Sequence, residues 1–174
     1  PPSLTVSDVL IDGTSQSTHH GDTNPHGPEI ALDGNAHSIE YGLSLINASN
    51  VTIRGLLITH FVYGIQVYGH GSHHNRIVGC FVGTDPAAAQ AAGNYNGIEF
   101  LSGAHDNVVG GPTPAERNIV SGNEHIGIRI TDASRNVILG NLIGLDAAAA
   151  RALPNYDGVC VEGRSRENVI GGPR

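Results

Sequence analysis

Asn75-Arg-Ile-Val-Gly-Cys-Phe-Val-Gly-Thr-Asp85 returns 61 residues later as Asn136-Val-Ile-Leu-Gly-Asn-Leu-Ile-Gly-Leu-Asp146, and the two copies run on to Pro112 and Pro173 with 17 of 38 aligned positions identical. Shared positions include Gly79/Gly140, Asp85/Asp146, Asn94/Asn155, Tyr95/Tyr156, Gly97/Gly158 and Asn107/Asn168. Identity at a constant offset marks a structural repeat. Inside it lies a shorter period: Gly97, Gly127 and Gly158 are 30 and 31 residues apart, so two units make one copy.

Each of these glycines opens an apolar-polar-apolar triplet: Ile98-Glu99-Phe100, Ile128-Arg129-Ile130 and Val159-Cys160-Val161, with weaker versions at Leu43-Ser44-Leu45 and Ile65-Gln66-Val67. Alternation at period two is the strand signature. Nine to eleven residues after the glycine an Asn opens a second short strand, as at Asn75, Asn107, Asn136 and Asn168. A third follows at Cys80-Phe-Val, Asn118-Ile-Val and Asn141-Leu-Ile. Three short strands per turn, separated by Gly, Asn and Asp corners, predict an all-β fold: a parallel β-helix, or β-solenoid. A strand this short buries no apolar face alone, whereas stacking like coils continues each face into a sheet. Asn repeated at one corner is expected to pass an amide hydrogen bond to the next coil, with its own backbone in the angles that Gly and Asn tolerate.

Composition agrees. Of 174 residues 24 are Gly, aromatics are 5%, and Met and Trp are absent, as suits thin layers with little room for large rings. The formal net charge is −7 and all nine basic residues are Arg, which argues against nucleic acid as a partner and removes lysine chemistry. No apolar run approaches the ~18 residues of a membrane span. Cys80 and Cys160 fall on different faces about two coils apart, beyond the ~7 Å reach of a disulfide, and are predicted as free thiols. Residues 1–40 read as entry strands (around Leu4 and Val9-Leu-Ile-Asp-Gly13) with a polar loop over residues 14–28, and residues 41–174 as one continuous solenoid. The Pro1-Pro2 start suggests a processed segment of something longer.

Val9-Leu-Ile-Asp-Gly-Thr-Ser-Gln16, Ile30-Ala-Leu-Asp-Gly34, the Asn75–Asp85 stretch, Asn107-Val-Val-Gly-Gly-Pro112, Arg117-Asn-Ile-Val-Ser-Gly-Asn123 and Gly140-Asn-Leu-Ile-Gly144 together resemble the secreted bacterial proteins with right-handed parallel β-helix repeats, within the pectin-lyase-like superfamily. The resemblance implies right-handed coiling and an extracellular or cell-surface location. It also implies a habit of engaging acidic polysaccharides through carboxylates, often with calcium, and an Arg or Lys presented by neighbouring coils.

Several residues are candidates for chemistry. The outward row Ser44, Gln66, Glu99, Arg129, Cys160 places Glu99 beside Arg129, read as a surface ion pair and as a contact for glycan or ion, with no second acid in the row for a glycosidase pair. The Ala-rich insertions over residues 84–94 and 145–155 carry matched Asp85/Asp146 and Asn94/Asn155, a calcium candidate, although the two-coil separation favours turn capping. His74, Asp106, Arg135 and Glu167 align as an alternating-charge corner. One position earlier His73, His105, Ser134 and Arg166 align, and with His70 they form a candidate imidazole cluster for a metal. Tyr41, Tyr63, Tyr95 and Tyr156 are read as corner packing, and Asn47-Ala-Ser and Asn50-Val-Thr are formal glycosylation sequons.

No set of catalytic residues emerges, and no cofactor beyond calcium is implied. The leading expectation is a structural or adhesive module that assembles with other copies of itself, end to end, through its open coils, since the last coil stops partway at Arg174. The alternative is a β-helix protein that binds or degrades an extracellular polysaccharide.

Overall fold

The computed structural model describes residues 3–171. Pro1-Pro2 and the Gly172-Pro173 end of the repeat, with the expected break at Arg174, lie outside them. The first coil is β1 (Leu10–Asp12), β2 (Ile30–Asp33) and β3 (Tyr41–Ile46), and the second is β4 (Thr52–Arg54), β5 (Leu56–Thr59) and β6 (Tyr63–Tyr68). The third is β7 (Arg76–Val78), β8 (Phe81–Val82) and β9 (Asn96–Leu101), and the fourth β10 (Val108–Gly110), β11 (Ile119–Val120) and β12 (Ile126–Thr131). The fifth is β13 (Val137–Leu139), β14 (Leu142–Ile143) and β15 (Asp157–Glu162), and β16 (Val169–Ile170) begins a sixth. Strands three apart in this order pair in parallel, giving one sheet of six strands and two of five: a parallel β-helix with three strands per coil.

Register follows the sequence columns. Ile11, Ile53, Ile77, Val109, Ile138 and Ile170 are successive Cα partners, and Ile53 through Ile138 are buried. On the third sheet the inward columns are Leu43, Ile65, Ile98, Ile128, Val159 and Leu45, Val67, Phe100, Ile130, Val161. Each coil covers its neighbour's apolar face, so the core is a continuous rod rather than a central cluster.

Asn ladders close the corners. Asn75 Nδ2 donates to Asn107 Oδ1 at 2.9 Å, Asn107 to Asn136 at 2.9 Å and Asn136 to Asn168 at 3.1 Å. Each accepting Oδ1 also receives the backbone N–H of the previous rung. Asn118 and Asn141 form a second ladder that caps Cys80 N–H. Left-handed backbone belongs not to the ladder Asn but to the residue before it: His74, Asp106, Arg135 and Glu167 have φ of 56, 54, 55 and 57°. That residue turns the chain and points outward, and the following Asn faces in.

Residues 1–40 supply β1 and β2, the first two strands of the first coil, in register with the second, and Leu4 bridges Leu45 ahead of them. Two sequence expectations change. The polar loop contains a six-residue helix, α1 (Ser15–His20), which follows a turn in which Asp12 Oδ1 accepts from Thr14 N and Oγ1. Asn94 and Asn155 are not free loop ligands. With Asn123 between them they form a third buried ladder, with Nδ2···Oδ1 distances of 3.0 and 2.9 Å. Gly64, Gly97 and Gly127 sit beside this ladder because nothing larger fits: a Cβ at Gly97 would lie 2.5 Å from Gly127 O and 3.0 Å from Asn123 Nδ2.

Candidate binding groove

On the outer face of the third sheet Ser44, Gln66, Glu99, Arg129 and Cys160 pair in register as expected, but Glu99 is not at the surface, being 1% exposed. Asn96 Nδ2 donates to its Oε1 at 2.8 Å, and Arg129 Nη1 stands 3.8 Å away. Burial pushes the Glu99 carboxyl above the usual range, against the opposing pull of Asn96, Arg129 and Gln66. Arg129 is committed elsewhere, with Nε 2.6 Å from Glu162 Oε1. A second acid therefore does reach this patch, from the adjoining row. With Glu99 sealed, the pair offers substrate no accessible acid and base.

The insertions fold as turns, and Asp85 and Asp146 cap them. Asp85 Oδ1 accepts from Ala89 N and Gln90 N at 2.7 and 3.0 Å, and Asp146 Oδ1 from Ala150 N and Arg151 N at 2.9 and 3.2 Å. The two loops meet despite the two-coil gap, Ala147 N donating to Ala88 O at 3.1 Å, because the coil between them has no insertion. Asp85 Oδ1, both Asp146 oxygens and the Asn94 and Asn155 amides are thus engaged within the protein. Among the described residues no group of three His, Cys, Asp or Glu gathers as a metal site. His73 and His105 stack at 5.1 Å instead of converging with His70, and His105 Nδ1 lies 2.7 Å from Asp106 Oδ2.

Tyrosines that look scattered in the sequence form two stacks. Tyr41 lies on Tyr63 at 5.3 Å, and His125 is sandwiched between Tyr95 and Tyr156 at 5.1 and 5.8 Å. Only His125 has a ring on both faces; the outer ring Tyr156 stays 79% exposed.

A concavity of about 890 Å³ lies at the corner between the third and first sheets. It arises from unequal corner lengths. Rows Tyr68/Leu101/Thr131/Glu162 and His73/His105/Ser134/Arg166 are in register. Between these rows the second coil bulges through Gly69-His70-Gly71, the third through Ser102-Gly103 and the fifth through Gly163-Arg164, while the fourth crosses with Asp132 alone before the Ser72/Ala104/Ala133/Ser165 position. The short fourth corner is the floor, and the bulges are the walls. His70 packs over Gly103, where φ is 93° and a Cβ would fall 2.2 Å from its Nδ1.

Three of the nine Arg line this groove, Arg135, Arg164 and Arg166, with Asp132 the one acid among the lining residues. Arg135 is held by Asp106, whose carboxyl Arg135 and His105 keep well below the usual range. Arg166 stands 3.8 Å from Glu167. The Arg164 guanidinium makes no hydrogen bond or ion pair with the described residues; only its backbone N–H is used, donating to Asp132 Oδ1 at 2.7 Å. The arrangement can accept an anion by charge-assisted hydrogen bonds. Of the expected site residues, His70 and His105 line it, His73 stacks behind it, and Glu99, Arg129, Asp85 and Asp146 lie outside it. Arg164 was missed by sequence reasoning, although its signal is there, in the varying interval between each strand-opening Gly and the next ladder Asn.

Fold and groove define the class as a parallel β-solenoid with a cationic flank. No protein-family model, curated protein or solved structure matches this chain.

Proposed function

We propose that the chain is an extracellular adhesive β-solenoid module that binds an acidic polysaccharide in the groove beside its third sheet without cleaving it. The observation that carries this reading is the gathering of Arg135, Arg164 and Arg166 around a single lining acid on a chain of net charge −7. Most of the surface repels a polyanion, so attraction concentrates at that groove. The burial of Glu99 supports binding over cleavage, and the extracellular location rests on the family resemblance. Binding to polygalacturonate, followed by calorimetry alongside a lyase and hydrolase assay, tests it. The double variant Arg164→Ala/Arg166→Ala is expected to lose binding, and no product is expected to form. Undiminished binding by the double variant, or product formation abolished by Glu99→Gln, overturns the reading.

End-to-end assembly is a second reading, supported by charge polarity along the rod. Residues 1–40 carry six acids and no Arg, whereas residues 151–167 carry three Arg with three acids. Sedimentation velocity at low and high salt tests this: a salt-sensitive series of oligomers is expected, and a monomer at every concentration removes it.

A further inference from the structure

The groove is not uniform along its length. It runs parallel to the solenoid axis, from Asn47 in the first coil past Tyr68 and His70 in the second to Arg164 and Arg166 in the fifth. Its arginines are confined to the fourth and fifth coils, while the first two contribute Asn47, Gly69, the His70 imidazole and the Tyr68 ring. Tyr68 is 42% exposed. Its column partners Ile46, Leu101, Thr131 and Glu162 are not aromatic, and no ring stacks on it among the described residues, so part of the ring stands open to the groove it lines. Tyr63 and Tyr95, by contrast, each carry a ring neighbour on one face.

We infer that Tyr68 and the Arg164–Arg166 pair are the two ends of one bipartite glycan site, which holds an acidic oligosaccharide along the solenoid axis with an anionic sugar at the arginines and a sugar ring packed on Tyr68. This rests on the acidic-polysaccharide reading and adds the ligand's orientation, its minimum length and the residue that senses that length. Tyr68 and Arg164 are three coils apart, about 14 Å at the ~4.8 Å spacing of paired strands, more than a disaccharide spans. A sugar's C–H face against an aromatic ring buries apolar surface, and Arg supplies the charge-assisted bonds. Binding at both ends by one chain converts the second contact into an intramolecular one.

Titration calorimetry with galacturonic acid and its linear oligomers of two, three, four and six units tests the inference. Affinity is expected to rise by about tenfold or more between the dimer and the tetramer and then level off, a step worth one decade of Kd. Tyr68→Ala is expected to abolish that rise, and Tyr68→Phe, which keeps the ring, to preserve it. Arg164→Ala/Arg166→Ala is expected to weaken every length. Equal affinity at all lengths, or a length dependence that survives Tyr68→Ala, overturns the bipartite site while leaving the polysaccharide reading standing. If none of the oligomers binds, the polysaccharide reading fails and this inference with it.

Discussion

Arg135 grips Asp106 across the gap between successive coils, Nε to Oδ1 and Nη2 to Oδ2, each at 2.9 Å. The pair fixes the register of two left-handed corner residues and partly neutralises the Arg135 guanidinium where it lines the groove. Asp106→Asn should therefore tighten polygalacturonate binding by roughly two- to fivefold, the range expected on releasing an exposed ion pair, with a small drop in thermal midpoint at pH 7. The sign of the pH effect follows from the depressed Asp106 pKa. The pair's contribution is present above the unfolded value of ~3.9 and is lost as pH falls through the lower folded value. Thermal midpoints of the two proteins, measured from pH 7 downward, should converge only below about pH 4.

Asn107 is a middle rung whose Oδ1 accepts from Asn75 N and Nδ2 and whose Nδ2 donates to Ser72 O and Asn136 Oδ1. Asn107→Ala strands buried donors and acceptors on both sides and should cost about 2–4 kcal/mol by denaturant titration. Asn168→Ala, at a rung with fewer partners, should cost less.

Glu99 has the opposite sign to Asp106. Its folded pKa is raised by burial, so its favourable contribution is complete below the unfolded value of ~4.3 and declines as pH rises through the folded value. Glu99→Gln, which keeps an acceptor for Asn96, should raise the neutral-pH thermal midpoint and flatten its dependence on pH in that window. A midpoint that falls at pH 7 would show that Arg129 outweighs the desolvation.

Glycine is required at Gly127 by proximity rather than by dihedral angle. A Cβ there would meet Gly158 O at 2.7 Å and Asn155 Nδ2 at 2.8 Å, whereas at Gly158 the nearest atom is Ile143 Cγ2 at 3.5 Å. Gly127→Ala should cost about 1–3 kcal/mol and Gly158→Ala much less, as read from paired unfolding curves.

Burial pushes the Cys80 thiol up to about 12, and Cys160 is only partly covered. A thiol-specific reagent at pH 8 should modify one thiol in the native protein and two after denaturation.

The columns, the two-coil repeat and the first two Asn ladders were legible because each leaves a chemical residue type at a near-constant interval. The third ladder was not. Asn94, Asn123 and Asn155 precede their strand-opening glycines by three, four and three residues, and an Ala-rich insertion leads into Asn94 and into Asn155 but not into Asn123. Glu99 was misplaced because alternation tells which side of a sheet a residue faces, not whether Asn96, Gln66 and Arg129 will cover it. The tyrosine stack was hidden by His125, an imidazole standing where a third aromatic ring was needed to make the pattern visible.

By itself the sequence determined the coil: short apolar strands can be buried only against copies of themselves, so periodic Ile, Val, Gly and Asn admit one architecture. The tertiary structure alone decided where that rod can hold a ligand. The groove exists because the fourth coil turns its corner with Asp132 alone while its neighbours carry His70, Gly103 and Arg164, and a difference in loop length becomes a concavity only once the coils lie side by side.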